Sequence, residues 1–250
     1  RCTEQLLPDP EEYFALVSRP VFVSICNREK SREVFECPVS RSDPQNATVA
    51  GKSIEQWTEA WWKWVLQGPR DPFNPTDDKT GLLSHINNNG DVFFLAGTNG
   101  VTGAGGDAMR FIAVPHGKPI LVPMLNSFDV EGPNIPGSDP LDPKGHINTV
   151  IDGFLKSVTD VFAKIDGKTV VDFQSSGKYL ETTGFFDMGP TKPGSLANQA
   201  GVPVGVELKD TKATGFYAML ENLSRGVHTI EFGGTGGGIT THTTDHILVV

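Results

Sequence analysis

Beyond residue 37 the sequence contains no cysteine, and beyond residue 64 it contains no tryptophan. The first absence removes a thiol nucleophile and a disulfide framework from a body of about two hundred residues. No apolar run approaches the roughly 18 residues that a membrane-spanning helix needs. Basic residues are the minority, 21 against 30 acidic, and the formal net charge is −9. That balance excludes the basic footprint of a nucleic-acid binder and a polybasic face for anionic lipid. There is no G-x-S-x-G elbow, no C-x-x-C pair and no repeat of 20–50 residues, which argues against an α/β-hydrolase nucleophile, a zinc ribbon and a solenoid.

The three cysteines that do exist, Cys2, Cys26 and Cys37, all lie in the first 50 residues, an odd number confined to a segment unlike the rest. Pro20 to Cys26 reads as a strand with Val21, Val23 and Ile25 on one face and Phe22 on the other. Glu33 to Val39 reads as a second strand, so a hairpin could bring Cys26 and Cys37 into a disulfide, leaving Cys2 free or intermolecular. Three reduced cysteines are the alternative. The segment is too short to build its own core. Val21, Phe22, Val23 and Ile25 are therefore expected to dock on a sheet edge, their own or a neighbour's. Residues 1–50 are read as this N-terminal segment, and 51–250 as the body.

The body opens on all four tryptophans, Trp57, Trp61, Trp62 and Trp64. Ser53 followed by Gln56 is a capping box, and Gly68-Pro69 is a stop signal, so a helix is expected over about 53–67. Ile54, Trp57, Trp61, Trp64 and Val65 share one arc of roughly 100° and should face a core. Trp62 sits on the flank, either in the core or on a sugar-stacking or membrane-interface surface. A second amphipathic helix is expected over about 146–164, with Ile147, Val150, Ile151, Phe154, Leu155, Val158 and Phe162 inward. Short strands are expected at 91–97, 109–114, 120–125, 169–173, 179–186, 204–208, 215–220, 227–232 and 246–250. Asp166-Gly167 is a hairpin turn, and Pro119 and Pro123 imply an edge or a bulge. The fold class that follows is mainly β (α+β), an antiparallel β-sandwich or jelly-roll-like body carrying about two amphipathic helices.

Motifs for chemistry are weak. The glycine run from Gly97 to Ala108 holds a nominal G-x-G-x-x-A, but a strand follows it where a dinucleotide site needs a helix. His242 and His246 would share one face of a strand roughly 13 Å apart, too far to share an ion. The stretch Phe128 to Lys144 reads as a long loop in which Asp129, Glu131, Asn134, Asp139 and Asp142 offer hard oxygen ligands of the kind calcium takes. Solvated turns are the plainer reading, and any carboxylate pair there could in principle serve a glycosidase. No catalytic residue is assigned, and calcium is the only cofactor considered. Asn46 and Asn222 head N-glycosylation sequons.

Several stretches together resemble a group of bacterial secreted, signal-peptide-bearing proteins without an established activity. These are Gly51-Lys52-Ser53 through Trp61-Trp62-Lys63-Trp64, Gly90 to Thr98, Val114-Pro115-His116-Gly117-Lys118 through Asn126, and Leu223 to Ile230. The resemblance covers most of the body and none of the first 45 residues. It implies export and a compact domain.

The leading expectation is a non-catalytic extracellular structural protein that self-associates, into oligomers or filaments, through its N-terminal segment. The first alternative is a glycan-binding or adhesion module, calcium-dependent or not. The second is a secreted hydrolase using paired carboxylates.

Overall fold

The computed structural model describes residues 40–41, 48–69, 74–98, 106–139 and 141–250. The expectations for Cys2, Cys26, Cys37, Val21, Phe22, Val23, Ile25 and Asn46 lie outside the described residues. What is described is mainly β, with twelve strands and three α-helices.

One five-stranded sheet runs β1 (Ser40–Arg41), β10 (Asp210–Glu221), β6 (Ile120–Glu131), β4 (Phe93–Phe94), with β9 (Leu180–Thr182) also on β10. A second runs β5 (Gly106–Val114), β12 (Ile239–Val249), β11 (Gly226–Gly236), β7 (Asp160–Ile165), β8 (Lys168–Val171). A two-residue pair, β2 (Thr48–Val49) with β3 (Lys52–Ser53), leads into the first helix. Pairing is antiparallel throughout except that β4 lies parallel to β6 and β5 parallel to β12.

Period-two alternation sends β6 and β10 side chains to two different cores. Ile120, Val122, Met124, Phe216, Ala218 and Leu220 join Ile230, Phe232, Ile247 and Val249 of the second sheet in one apolar cluster. Leu121, Tyr217 and Met219 face the opposite way, into a cluster built on the tryptophan helix α1 (Ile54–Gln67). The first sheet is thus covered on both faces, and α1 is one of its covers.

Helix α1 forms as its sequence dictates. Ser53 Oγ accepts from Gln56 N at 3.2 Å, and Gln56 Oε1 accepts from Ser53 N at 3.0 Å. All four indoles are buried, and each N–H has a separate acceptor: Val49 O, Leu95 O, Tyr217 Oη and Ile86 O, for Trp57, Trp61, Trp62 and Trp64 in turn. Of the two readings of Trp62 the core one holds and the stacking-surface alternative does not: the residue is 6% exposed and its indole N–H donates to Tyr217 Oη at 3.0 Å.

Other boundaries also differ. Helix α2 spans Pro143–Ser157, with Asp142 as N-cap and proline in the first turn. It stops before Val158, and Phe162 lies on strand β7, where burial alternates with period two. The expected helix to 164 fused a helix and a strand because Val158 and Phe162 happen to continue the helical stripe. Strand β6 runs on to Glu131, so the loop expected from Phe128 begins only after that residue. The 204–208 stretch is no strand, and only Leu180–Thr182 of the 179–186 stretch pairs as one.

Two features let the sheets come together. The register between β6 and β10 shifts where Phe216 faces Leu125 and Tyr217 faces Pro123, leaving Met124 as the extra residue of a bulge beside a proline that has no N–H to give. Opposite that bulge, β11 carries glycine at 233, 234 and 236. A Cβ at Gly234 would sit 2.4 Å from Asp160 O and 3.2 Å from Leu125 Cβ. The glycine-rich end of β11 is thus a strand that passes close to β6.

Candidate functional site

Strand β4 pairs with β6 only at Ile120 and Leu121. Beyond that point, the edge of β6 away from β10 has no strand partner among the described residues. A cleft of about 460 Å³ runs along it. Trp61, Trp62 and Val65 of α1 and Phe128 form one wall, with Leu196 and Val202 beside them. Phe154 of α2 and the Gly236–Thr241 hairpin form the other. Trp62 and Phe128 meet with ring centroids 4.5 Å apart, so this wall is aromatic and fixed. Polar groups in the lining are few: Asn126, Ser127, Asp129, Thr98, Thr76 and Thr241. Short helix α3 (Leu196–Gln199) is followed by exposed Ala200 at the cleft.

At the far end of β6, Asp129 and Glu131 stand two residues apart and so share a face. His146, in the first turn of α2, meets them. One ligand atom from each of the three lies within 4.8 Å of the others. His146 Nδ1 is in hydrogen-bond contact with Glu131 Oε1, while Glu131 Oε2 accepts from Asp139 N at 2.7 Å. The Glu131 side chain is 2% exposed and that of His146 39%. Its hydrogen bond to Glu131 pushes the His146 imidazole above its usual pKa, against a smaller opposing effect of burial. Burial pushes the Asp129 carboxyl up, with Glu131 adding repulsion and a backbone hydrogen bond from Val130 opposing both. Oδ2 of Asp129 is buried and accepts no hydrogen bond.

Of the five oxygen donors expected in this stretch, the structure brings the carboxylates of Asp129 and Glu131 together and leaves the side chains of the other three outside that group. Asp139 Oδ1 accepts from Leu141 N and Asp142 N, and Asp142 Oδ1 from Gly145 N. Asn134 takes a left-handed turn conformation with φ 67. His146 was not singled out as a ligand. Its signal was the Asp-Pro helix start at 142–143, which places residue 146 one turn inside a helix packed on β6. Asn222 is exposed, at φ 59, just after β10.

Two further polar clusters are present, the first of which touches Gly97 of the cleft lining. Arg110, 2% exposed, donates to Asp78 O at 2.7 Å, to Ala96 O and to Gly97 O at 3.3 Å. Its Nη1 lies 3.6 Å from Asp245 Oδ1, yet neither oxygen of Asp245 has a hydrogen-bond donor. Burial pushes the Asp245 carboxyl up to about 7, although Arg110 pulls it down. Asp78 is buried too, but hydrogen bonds from Leu83 N and Thr80 outweigh that burial and hold its carboxyl below the usual range. The second cluster ties two turns: His228 Nδ1 is 2.8 Å from Asp166 Oδ2, and Nε2 is 3.1 Å from Ser224 Oγ and 3.0 Å from Ser224 O. His242 and His246 are both on β12, one edge-on to Phe162 and the other stacked on Phe111 at 4.9 Å. Each imidazole has its own aromatic neighbour.

No protein-family model matches the chain, and no solved structure matches it. A segment of 119 residues is similar, at 31% identity, to the clustered mitochondria protein homolog of Neurospora crassa. The match takes in 43% of this chain and 9% of that protein, so the chain spans under a tenth of its relative's length and the similarity shows no shared family.

Proposed function

We propose that the body is a non-catalytic, exported binding module. In this reading its two five-stranded sheets stack as a sandwich, and the cleft along the unpaired edge of β6 takes an apolar small molecule. The observation that carries it is the cleft itself: about 460 Å³, walled by Trp61, Trp62, Phe128, Phe154 and aliphatic side chains, with few polar groups. Small-molecule sites are of this size and make-up, mostly apolar with a handful of orienting polar atoms. A glycan would need more hydrogen-bonding partners than this lining offers, which favours a greasy ligand over the sugar considered from sequence. No helix among the described residues is long and apolar enough to cross a membrane. Export rests on the resemblance to secreted bacterial proteins.

Calorimetric titration with a neutral apolar probe, 1-decanol, tests the reading. Saturable binding is expected, and Ala200→Trp, at an exposed position lining the cleft, should abolish it without unfolding the protein. The reading fails if the parent shows no saturable binding, or if Ala200→Trp binds as well as the parent.

One observation favours a second role for the same molecule. Ser40 and Arg41 pair with Glu221 and Leu220 at the edge of β10. A short strand from the N-terminal segment can thus pair at a sheet edge of the body, which supports self-association by strand addition as a second reading.

A further inference from the structure

The Asp129–Glu131–His146 cluster is more than an ion pair. A His146 imidazolium against Glu131 would account for that one carboxylate. It leaves Asp129 Oδ2 buried beside a second carboxylate and without a hydrogen bond. An orphaned buried acceptor costs roughly 1–3 kcal/mol, and more when charged. One carboxylate oxygen of Asp129 lies within 4.8 Å of ligand-type atoms of Glu131 and His146. A single cation among the three would satisfy all of them.

We propose that Asp129, Glu131 and His146 bind a divalent first-row transition ion of the zinc type. The donor set decides the class. One imidazole nitrogen with two carboxylate oxygens suits a borderline ion. Calcium takes six to eight oxygens, and the remaining acids of this stretch are engaged in capping turns and the start of α2.

The frame is built as metal sites are. Asp129 and Glu131 project from one face of a long paired strand, and His146 from the first turn of a helix packed on it. Glu131 is oriented by the Asp139 N–H at 2.7 Å, an outer partner that fixes which oxygen faces the ion. Nδ1 of His146 is the nitrogen that faces the carboxylates, so the other nitrogen keeps the proton in the bound state. Three protein ligands leave a coordination position open, and Asp129 also lines the cleft. The site stands whether or not the cleft takes an apolar molecule.

The test is calorimetric titration of the full chain with ZnCl₂, repeated with CaCl₂, on the parent and on His146→Ala and Asp129→Asn. Cobalt absorption in the visible region serves as a second readout of a nitrogen and oxygen donor set. Zinc should bind in a defined stoichiometry and calcium should not. Each variant should lose one equivalent or at least tenfold in affinity for it, while its far-UV circular dichroism stays that of the parent. The proposal is overturned if both variants bind zinc as the parent does, since the three N-terminal cysteines would then explain any uptake. It is equally overturned if calcium binds and zinc does not.

Discussion

Asp245 is a carboxyl withdrawn from water. It sits on β12 opposite Arg110 on β5, is fully buried, and has no hydrogen-bond donor on either oxygen. Burial raises its folded-state pKa to about 7, above the ordinary carboxyl value it recovers on unfolding. The folded state therefore holds the proton through a window in which the unfolded state has released it. Its contribution is fully present below about pH 4 and is lost as pH rises to about 7, at no more than about 1.4 kcal/mol per pH unit. Asp245→Asn mimics the protonated acid. In urea melts the variant should match the parent near pH 4 and become progressively more stable than it up to about pH 7. A gap that does not change with pH would mean the carboxyl is not held protonated. Tyr217 gives a second prediction at this scale. Its hydroxyl accepts the Trp62 indole N–H, so Tyr217→Phe orphans a buried donor at a cost of about 1–3 kcal/mol. Chemical denaturation checks it, and a change within error would show that the indole finds another acceptor.

At the scale of elements, α1 was the most legible part of the chain. The capping box, the glycine stop and the tryptophan arc are local signals, and local signals survive without tertiary information. Replacing Ser53 with Ala should cost about 1 kcal/mol, because it removes the acceptor for Gln56 N and half of the reciprocal cap. Strand β6 was legible only in its first half. Its second half lay beyond the expected strand, with Asp129 and Glu131 read as loop, because nothing local tells that β10 will supply a full partner from far along the chain. The end of α2 was lost for the opposite reason: Val158 and Phe162 continue the helical stripe by coincidence, while Val158 only caps the helix and Phe162 lies on a strand whose burial alternates with period two. The glycines of β11 answer to a long-range close approach, which no local pattern announces. Gly234→Val should therefore be far more damaging than an ordinary surface-strand substitution, since its side chain would meet the Asp160 carbonyl. Soluble expression and melting temperature would register this, and a variant as stable as the parent would contradict the close approach of Gly234 to β7 and β6.

At the scale of the whole molecule, the mainly β class was legible from short strands and frequent turns, but the cleft was not. Its lining comes from α1, β6, α2, α3 and the β11–β12 hairpin, which no spacing in the sequence connects. The acidic half of the metal cluster was visible as two carboxylates in one stretch, and the histidine was hidden behind the helix boundary. The N-terminal segment offers its own test at this scale. Removing residues 1–45 and measuring mass by light scattering should reduce association if the segment adds a strand to a neighbour. Monomers with and without it, across a wide concentration range, would remove that role.

The edge of β6 that has no strand partner among the described residues forms, with the inner wall of α1, the proposed ligand cleft. The four indole N–H resonances of the nitrogen-15-labelled protein report on it directly, because Trp61 and Trp62 line the cleft and Trp57 and Trp64 do not. Titration with 1-decanol should move the Trp61 and Trp62 signals in a saturable way and leave those of Trp57 and Trp64 in place. Four unmoved signals, or shifts at Trp57 and Trp64 alone, would contradict it.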